Sequence, residues 1–201
     1  MNCNSRRQKL RAVFAGETCI HPGSVYDPIS ARVAEDLGFE AGMFAGSVAS
    51  LTVLGAPDLI VLTLSEFADQ AHRICRAGEL PLIVDADHGY GNALNVRRTV
   101  EELETAGVAC LTIEDTLLPK RFGEAGTEFL SIDEAVGKMK AAVDARQDAG
   151  MIVLGRTSAV GPNGVDDGIR RASAYLDAGV DGIMFVGVRT RAELASIARG
   201  I

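Results

Sequence analysis

Three times along this chain, a helical pattern ends at a glycine and a short apolar run follows within a few residues. The three junctions are Leu37-Gly38, Ala106-Gly107 and Ala178-Gly179. Glycine ends helices readily because it adopts the left-handed conformation without steric cost. Repetition of this helix–glycine–strand unit is typical of an alternating α/β protein with a parallel sheet.

The rest of the sequence extends this alternation to six βα units. The predicted strands lie near Thr18–Ser24 and at Phe39–Ala45, Leu82–Asp85, Val108–Glu114, Met151–Arg156 and Asp181–Val186. The predicted helices run from Asp27-Pro28 to about Leu37, from the capping box Thr63–Glu66 to about Ala77, over Ala93–Thr105, from the capping box Ser131–Glu134, over Val165–Ala178 and over Arg189–Ile201. Two segments, Gly46–Asp58 and Thr116–Leu130, are predicted to be loops.

Two α/β architectures fit such a pattern, a doubly wound sheet and a (β/α)₈ barrel. A doubly wound nucleotide-binding fold usually carries G-x-G-x-x-G after its first strand, but Val25-Tyr26-Asp27-Pro28 stands there. The pair Gly89-Tyr90-Gly91 follows the third strand and lacks the third glycine. Polar residues instead follow strands two to five, as at a barrel mouth. We therefore predict a TIM-type (β/α)₈ barrel with about six of its eight units, forming one partial barrel domain over residues 1–201.

Two acids stand one residue apart where the third strand ends. The apolar run Leu80–Val84 leads into Asp85-Ala86-Asp87, and side chains two positions apart leave a strand on the same face. Two unpaired carboxylates at one mouth would repel, and one of them would take up a proton. A bound divalent cation removes this conflict, so the sequence predicts a Mg²⁺ or Mn²⁺ site at Asp85 and Asp87.

Other polar residues follow the neighbouring strands. On strand four the inward face carries either Thr112 and Glu114 or Ile113 and Asp115. Strand five ends in Arg156, whose planar guanidinium suits a carboxylate.

The segment after strand two carries Gly46 and Ser47, which offer backbone N–H groups and a hydroxyl to a second carboxylate, and then Asp58. Each candidate has a structural alternative. Glu114 could form an outer salt bridge, Arg156 could pair with an acid at the mouth, and Ser47 and Asp58 could be loop and turn residues. For His88 we expect a hydrogen bond to a ligand residue rather than a metal bond.

Composition narrows the classes of partner. The formal net charge of the 201 residues is −7 and no stripe of Lys and Arg is present, so nucleic-acid binding is not expected. No apolar run approaches the roughly 20 residues of a membrane span, and no apolar segment follows the basic N-terminus. The four cysteines are scattered, as for reduced thiols. We expect a cytoplasmic protein without membrane contacts.

Several of these motifs together resemble the isocitrate lyase/phosphoenolpyruvate mutase superfamily. The resemblance covers the whole chain and rests on the segments 23–32, Gly46-Ser47, Asp58, Asp85-Ala86-Asp87-His88-Gly89-Tyr90-Gly91, Ile113-Glu114-Asp115 and Gly155-Arg156-Thr157. Within the superfamily, the segments 46–51, 64–67, 87–96 and 112–119 are most similar to the bacterial oxaloacetate decarboxylase branch.

The resemblance implies a site and an assembly. It assigns Asp85 to direct magnesium binding and Asp58, Asp87 and Glu114 to binding through water. It assigns Ser47, with Gly46, and Arg156 to a substrate carboxylate, and Thr116–Leu130 to a gating loop. We take Arg156 and Glu114 as the catalytic residues. Members of the superfamily form (β/α)₈ barrels, commonly tetramers that swap a helix, so we expect a homo-oligomer, either a dimer or a tetramer.

The sequence departs from the superfamily pattern in two places. The isocitrate and methylisocitrate lyases carry a gating loop of the type Lys-Lys-Cys-Gly-His, whose Cys is the catalytic acid, whereas this loop reads Leu118-Pro119-Lys120-Arg121-Phe122-Gly123-Glu124. Retro-aldol cleavage with that acid is therefore disfavoured. The decarboxylase branch also places a Tyr and a His on later strands, beyond Ile201. We therefore expect a C-terminally truncated product or a shortened paralogue.

The function that this resemblance predicts is a carboxy-lyase. It would decarboxylate an α-keto diacid, oxaloacetate, to pyruvate and CO₂ through an enolate stabilised by Mg²⁺. Two alternatives remain open. One is another carbon–carbon or carbon–phosphorus reaction on an α-oxycarboxylate, such as a methylisocitrate lyase-like or phosphonopyruvate mutase-like step. The other is a non-catalytic remnant.

Overall fold

Six parallel strands form one sheet in a computed structural model that describes residues 3–123 and 125–201. Each strand pairs with its neighbours in the chain, in the order β1 to β6. The strands are β1 (Gly23–Ser24), β2 (Gly42–Phe44), β3 (Leu82–Asp85), β4 (Cys110–Glu114), β5 (Ile152–Thr157) and β6 (Gly182–Phe185). Within the described residues the sheet is open, because no pairing joins β1 to β6. The predicted α/β barrel-type fold with six βα units is thereby confirmed.

Helices alternate with the strands, and the first and last helices lie before the first strand and after the last. They are α1 (Cys3–Phe14), α2 (Pro28–Asp36), α3 (Gly46–Ala49), a π-helical turn (Ser50–Leu54), α4 (Leu64–Ala77), α5 (Ala93–Ala106), α6 (Ile132–Ala145), α7 (Val160–Asn163), α8 (Val165–Asp177) and α9 (Arg191–Gly200). Both halves of the predicted capping box at Thr63 and Glu66 are present, and Ser131 Oγ accepts from the Glu134 N–H. None of the helices in the described parts of the chain is both long and apolar enough to cross a membrane.

The side chains of each strand point alternately to the two faces of the sheet, and each face carries its own apolar cluster. Leu82 and Val84 pack among the outer helices, whereas Ile83 belongs to a smaller cluster on the inner face with Cys110 and Ile152. Successive side chains of a strand point to opposite faces. The inner face therefore receives Asp85 from β3, Thr112 and Glu114 from β4, and Arg156 from β5.

The N-terminal helix α1 was not predicted, because its sequence is polar and basic. It lies at the end of the sheet opposite the carboxyl ends of the strands. Leu10 enters the inner cluster, and Arg7 Nε donates to the carbonyl of Val108, just before β4. Arg11 donates to the carbonyls of Gly150 and Met151, just before β5.

Two further predictions were wrong in part. The segment Gly46–Asp58, predicted as a loop, contains α3 and the π-helical turn. Its small residues Gly46 and Ala49 are buried, which lets a helical backbone lie close to the sheet. The first two strands are also shorter than predicted. For the second, the Phe39 N–H still bonds to the Ala34 carbonyl, so this residue belongs to the end of α2.

Candidate active site

A cavity of about 460 Å³ opens at the carboxyl ends of the strands. Four carboxylates line it, those of Asp58, Asp85, Asp87 and Glu114. Among the described residues, its cationic lining consists of Arg156 and Lys120. The predicted site residues, including Ser47, thus lie around one space, with Gly46 packed directly behind Asp87.

Asp85 is held by protein groups on the inner face. Arg156 Nη1 lies 2.6 and 2.7 Å from its two carboxylate oxygens, and Thr112 Oγ1 donates to Oδ1 at 3.0 Å. The ion pair that the structural alternative predicted for Arg156 is therefore present. Arg156 Nε has no hydrogen-bond partner among the described residues, so the guanidinium keeps donor capacity beyond this pair.

Asp87 reaches the cavity by a route that the sequence reasoning did not predict. The strand ends at Asp85, and Asp87 adopts a φ of 47°, so a tight turn rather than strand alternation aims its carboxylate. A Cβ added to Gly46 would lie 2.7 Å from Asp87 Oδ1, so the backbone approaches this carboxylate more closely than any other residue type allows. Burial, and then the charges of Asp85, Asp58 and Glu114, raise the pKa of Asp87 to about 8.

The two acids at the end of β4 point in opposite directions. Glu114 faces the cavity, where Thr116 Oγ1 donates to its Oε2 at 2.9 Å and Arg156 Nη2 lies 3.8 Å away. Burial raises the pKa of Glu114 more strongly than Arg156 and Thr116 lower it. Asp115 faces the outer helices and bonds to Thr157. Of the two options that the sequence left open, Thr112 with Glu114 forms the inner face.

The segment Thr116–Leu130 covers part of the cavity. Leu118, Pro119 and Lys120 line it from this side, and an antiparallel bridge between Thr116 and Phe129 closes the base of the segment. Glu124, in the middle of this segment, lies outside the described residues. Lys120 was not predicted as a site residue. The sequence signal that could have indicated it was its position inside the predicted gating loop.

His88 stands beside the acids but does not line the cavity. Its backbone carbonyl accepts from Lys138 Nζ, and its Nδ1 has no hydrogen-bond partner within the described residues. Burial lowers the pKa of His88 to about 4, so the ring is neutral at physiological pH. The hydrogen bond from His88 to a ligand residue stays a prediction.

The donor set fits a hydrated hard cation better than a closed metal cage. No three His, Cys, Asp or Glu residues in the described part of the chain form a ready-made metal-binding group. Mg²⁺ usually takes one or two protein carboxylates and keeps several waters. Burial is the main cause of the raised pKa of Asp87, and the neighbouring carboxylates add to it; a cation beside these carboxylates would favour their ionised forms.

Comparison with known proteins identifies the family. Residues 10–201 match the family model described as phosphoenolpyruvate phosphomutase. The chain belongs to the phosphoenolpyruvate mutase/isocitrate lyase superfamily. It is 61% identical over 198 residues to an oxaloacetate decarboxylase of Bradyrhizobium diazoefficiens, covering 98% of this chain and 69% of that relative. It is 58% identical to an oxaloacetate decarboxylase of Rhodopseudomonas palustris, with the same coverage.

Solved members of the superfamily share the fold. Oxaloacetate acetylhydrolase in complex with the inhibitor 3,3-difluorooxalacetate superposes with a TM-score of 0.91 at 33% identity, over 98% of this chain and 69% of that one. Phosphonopyruvate hydrolase in complex with oxalate and Mg²⁺ gives a TM-score of 0.85 at 31% identity, over 96% and 68%. The predicted superfamily, and the likeness to its oxaloacetate decarboxylase branch, are confirmed.

Proposed function

We propose that this chain is a Mg²⁺-dependent carboxy-lyase that converts oxaloacetate to pyruvate and CO₂. The observation that carries the proposal is the convergence of Asp85, Asp87, Glu114 and Arg156 on one cavity at the carboxyl ends of the strands. The 61% identity to an oxaloacetate decarboxylase supports the choice of substrate. Mn²⁺ would serve as an alternative cation because it accepts the same oxygen ligands.

The reaction breaks the C3–C4 bond of the α-keto diacid. The bonding electrons move towards the C2 carbonyl, CO₂ leaves from C4, and C3 gains a proton to give pyruvate. A bound divalent cation supplies Lewis-acid stabilisation of the negative charge that develops on the C2 oxygen. No protein nucleophile is required, which agrees with the absence of a Cys from the described part of the segment 116–130.

The chain's own residues bind and orient the substrate. Asp85 would hold the cation directly, and Asp58, Asp87 and Glu114 would hold it through water. Arg156 and the Ser47 hydroxyl would bind the C1 carboxylate, for which the planar guanidinium offers parallel donors. The C4 carboxylate would then have no such partner, so it can leave as neutral CO₂ while its negative charge passes, with the C3–C4 bonding electrons, to the C2 oxygen.

The apolar part of the lining would limit the access of water to the reacting atoms. Leu59 and Ile60 lie on one side of the cavity, and Leu118 and Pro119 lie on the segment that covers it. A drier cavity strengthens each electrostatic contact with the developing charge. The segment 116–130 therefore has the position that a gating loop requires.

The test is pyruvate formation from oxaloacetate with Mg²⁺, compared with EDTA and with Mg²⁺ alone, because free metal also catalyses this reaction. We expect turnover above the metal background, its abolition by EDTA, and its loss in Asp85→Asn. Asp148→Asn, at the opposite end of the sheet, should retain it. Metal-independent turnover, or none above background, would overturn the proposal. Product analysis with phosphonopyruvate and with methylisocitrate separates the other superfamily chemistries.

We also propose that the chain acts in the cytoplasm as a homo-oligomer, a dimer or a tetramer, as the superfamily resemblance implies. Size-exclusion chromatography with light scattering measures the mass directly. A monomer without activity or Mg²⁺-dependent stabilisation would favour the non-catalytic alternative, because a ligand that binds only the folded state must raise the melting temperature.

A further inference from the structure

A buried polar cluster lies behind the cavity, on the outer face of β4 and β5. Its centre is Asp115, which is fully buried. Asp115 Oδ2 accepts hydrogen bonds from Tyr175 Oη at 2.6 Å, Thr157 Oγ1 at 2.9 Å and Arg171 Nη1 at 3.1 Å. The cluster joins α8 to two strand ends, and none of these four residues lines the cavity.

We infer that Asp115 is a positioning residue: through Thr157 and Arg171 it fixes the strand ends that carry Glu114 and Arg156, and the base of the segment 116–130. The inference rests on the proposed function for its kinetic consequence. The anchoring of the segment 116–130 by these contacts does not depend on which reaction takes place in the cavity.

The register of the two strands links the outer hydrogen bond to the inner pair. The last residue pair between β4 and β5 is Glu114 with Arg156. Beyond it, the Asp115 N–H reaches the Arg156 carbonyl at 3.3 Å, and the side chains of Asp115 and Thr157 bond at 2.9 Å on the outer face. Glu114 and Arg156 are the immediate chain neighbours of this bonded pair. A displacement of the outer bond therefore moves the two inner side chains relative to each other.

The same cluster also attaches the base of the segment 116–130. Its returning arm is attached at Leu130, whose N–H donates to the Asp115 carbonyl at 2.9 Å and whose carbonyl accepts from Arg171 Nη1 at 3.0 Å. The Arg171 guanidinium also lies 5.2 Å from the centre of the Phe129 ring. Phe129 in turn bridges to Thr116. One cluster therefore fixes both arms of the segment that carries Leu118, Pro119 and Lys120 to the cavity.

Stability alone does not account for this arrangement. A buried ion pair costs desolvation free energy that its attraction often only balances, and an apolar replacement of the same shape is frequently as stable. Asp115 Oδ1 is buried without any hydrogen-bond partner among the described residues, which adds to that cost. Arg171 Nε also pairs with Asp167 Oδ2 within α8 at 3.0 Å, whereas the bonds from Thr157 to Asp115 and from Arg171 to Leu130 lead to the strand ends and to the base of the segment.

The test compares Arg171→Met and Asp115→Asn with the control Arg7→Met. Arg7 is also a buried arginine that pairs with an aspartate, Asp148, and with two backbone carbonyls, but it lies at the opposite end of the sheet. We expect both cluster variants to lower kcat on the order of 10²-fold, with little change in KM, because the reacting groups are misplaced. The folded fraction of Arg7→Met should keep the kcat of the unmodified chain.

A second readout does not need activity. Trypsin cleavage after Lys120 and Arg121, followed by mass spectrometry without substrate, should be faster in Arg171→Met and unchanged in Arg7→Met. If Arg171→Met does not fold, Tyr175→Phe removes one hydrogen bond and keeps the buried ring, and a smaller change in the same direction is expected.

The inference would be overturned if trypsin cleaved Arg171→Met and Arg7→Met equally faster than the unmodified chain, or if cleavage of Arg171→Met were no faster. An unchanged kcat in the cluster variants would overturn it as well. If the unmodified chain does not decarboxylate oxaloacetate, the proposed function fails, and the cleavage comparison alone decides whether Asp115 and Arg171 anchor the segment.

Discussion

Arg156 Nη1 contacts both carboxylate oxygens of Asp85, at 2.6 and 2.7 Å. The Arg156 guanidinium therefore already neutralises Asp85, the proposed direct ligand of Mg²⁺. A cation that binds Asp85 must share this carboxylate with Arg156 or displace it. On the proposed function, the same movement would free guanidinium donors for a substrate carboxylate, which would couple cation binding to substrate binding at this pair.

Replacing Arg156 tests this coupling. In Arg156→Gln the four carboxylates of the cavity remain, and Lys120 is the one cationic side chain left among the described lining residues. Because less of their negative charge is then neutralised, we expect Mg²⁺ to raise the melting temperature of the variant more than that of the unmodified chain. Oxaloacetate turnover should fall on the order of 10²-fold, as when one preorganised donor is lost. Thermal unfolding over a Mg²⁺ titration and the pyruvate assay measure the two effects. The control Arg146→Gln removes an ion pair with Asp181 far from the cavity. A smaller Mg²⁺ shift in Arg156→Gln would contradict the prediction.

Gly46→Ala tests the close approach to Asp87. The new methyl group would lie 2.7 Å from Asp87 Oδ1, so the carboxylate must rotate away from its place in the cavity. We expect at least about a tenfold loss of turnover with a small change in the free energy of unfolding, since a side-chain end rather than backbone must move. Gly137→Ala, on α6 where an added Cβ meets no atom within 4 Å, should stabilise by about 0.5–1 kcal/mol and keep activity. Full activity in Gly46→Ala would show that the position of Asp87 is unimportant.

Asn92→Ala tests a helix cap that follows the acidic turn directly. The Asn92 side chain accepts from the Leu94 and Asn95 N–H groups, and the Asn95 side chain accepts from the Asn92 N–H. Loss of such a cap costs about 1 kcal/mol of unfolding free energy, measurable by urea denaturation. Leu94→Ala, at an exposed position of the same helix, should stay within about 0.5 kcal/mol. Equal effects of both variants would argue against the cap.

Asp148→Asn tests the acid dependence of stability at the opposite end of the sheet. Hydrogen bonds from Arg7 and from the Gly150 N–H hold the pKa of Asp148 below its usual value of 3.8. A carboxyl group with a lowered pKa stabilises the fold above its unfolded pKa, and this contribution disappears as the pH falls through the lowered value. We therefore expect Asp148→Asn to be less stable than the unmodified chain at pH 7, with a difference that shrinks as the pH falls below about 4 and vanishes only when the pH is below the lowered pKa of Asp148. Urea denaturation at neutral and at acid pH measures it, and a difference that grows in acid would refute the assignment.

Local periodicity accounts for the features that the sequence predicted correctly. The third strand, Leu82–Asp85, has the bounds that its apolar run indicated, and Gly107 caps α5 in the left-handed conformation. Strand alternation also placed Asp85 and Arg156 at one mouth. Asp87 was predicted to share that space for a partly wrong reason, because a turn with positive φ rather than the strand directs its carboxylate.

The features that the sequence did not predict depend on contacts between distant residues. Arg6 and Arg7 are buried although arginine is usually exposed, and their carbonyl partners are more than 60 positions away. The pairing of Asp115 with Arg171 and Tyr175 spans 56 and 60 positions. No periodicity or motif marks such pairs, because the packing of α8 against β4 and β5 creates them.

The arginines of α1 bind partners that are synthesised at very different times. Arg11 binds the carbonyl of Gly150, 139 positions later, and the carboxylate of Asp181, 170 positions later. At synthesis rates of about 5–20 residues per second, α1 leaves the ribosome on the order of 10 s before these partners exist. Arg6 can bind its carbonyl partners at Cys75 and Gly78 well before this point, so α1 can dock in stages, with the contacts of Arg11 completed last.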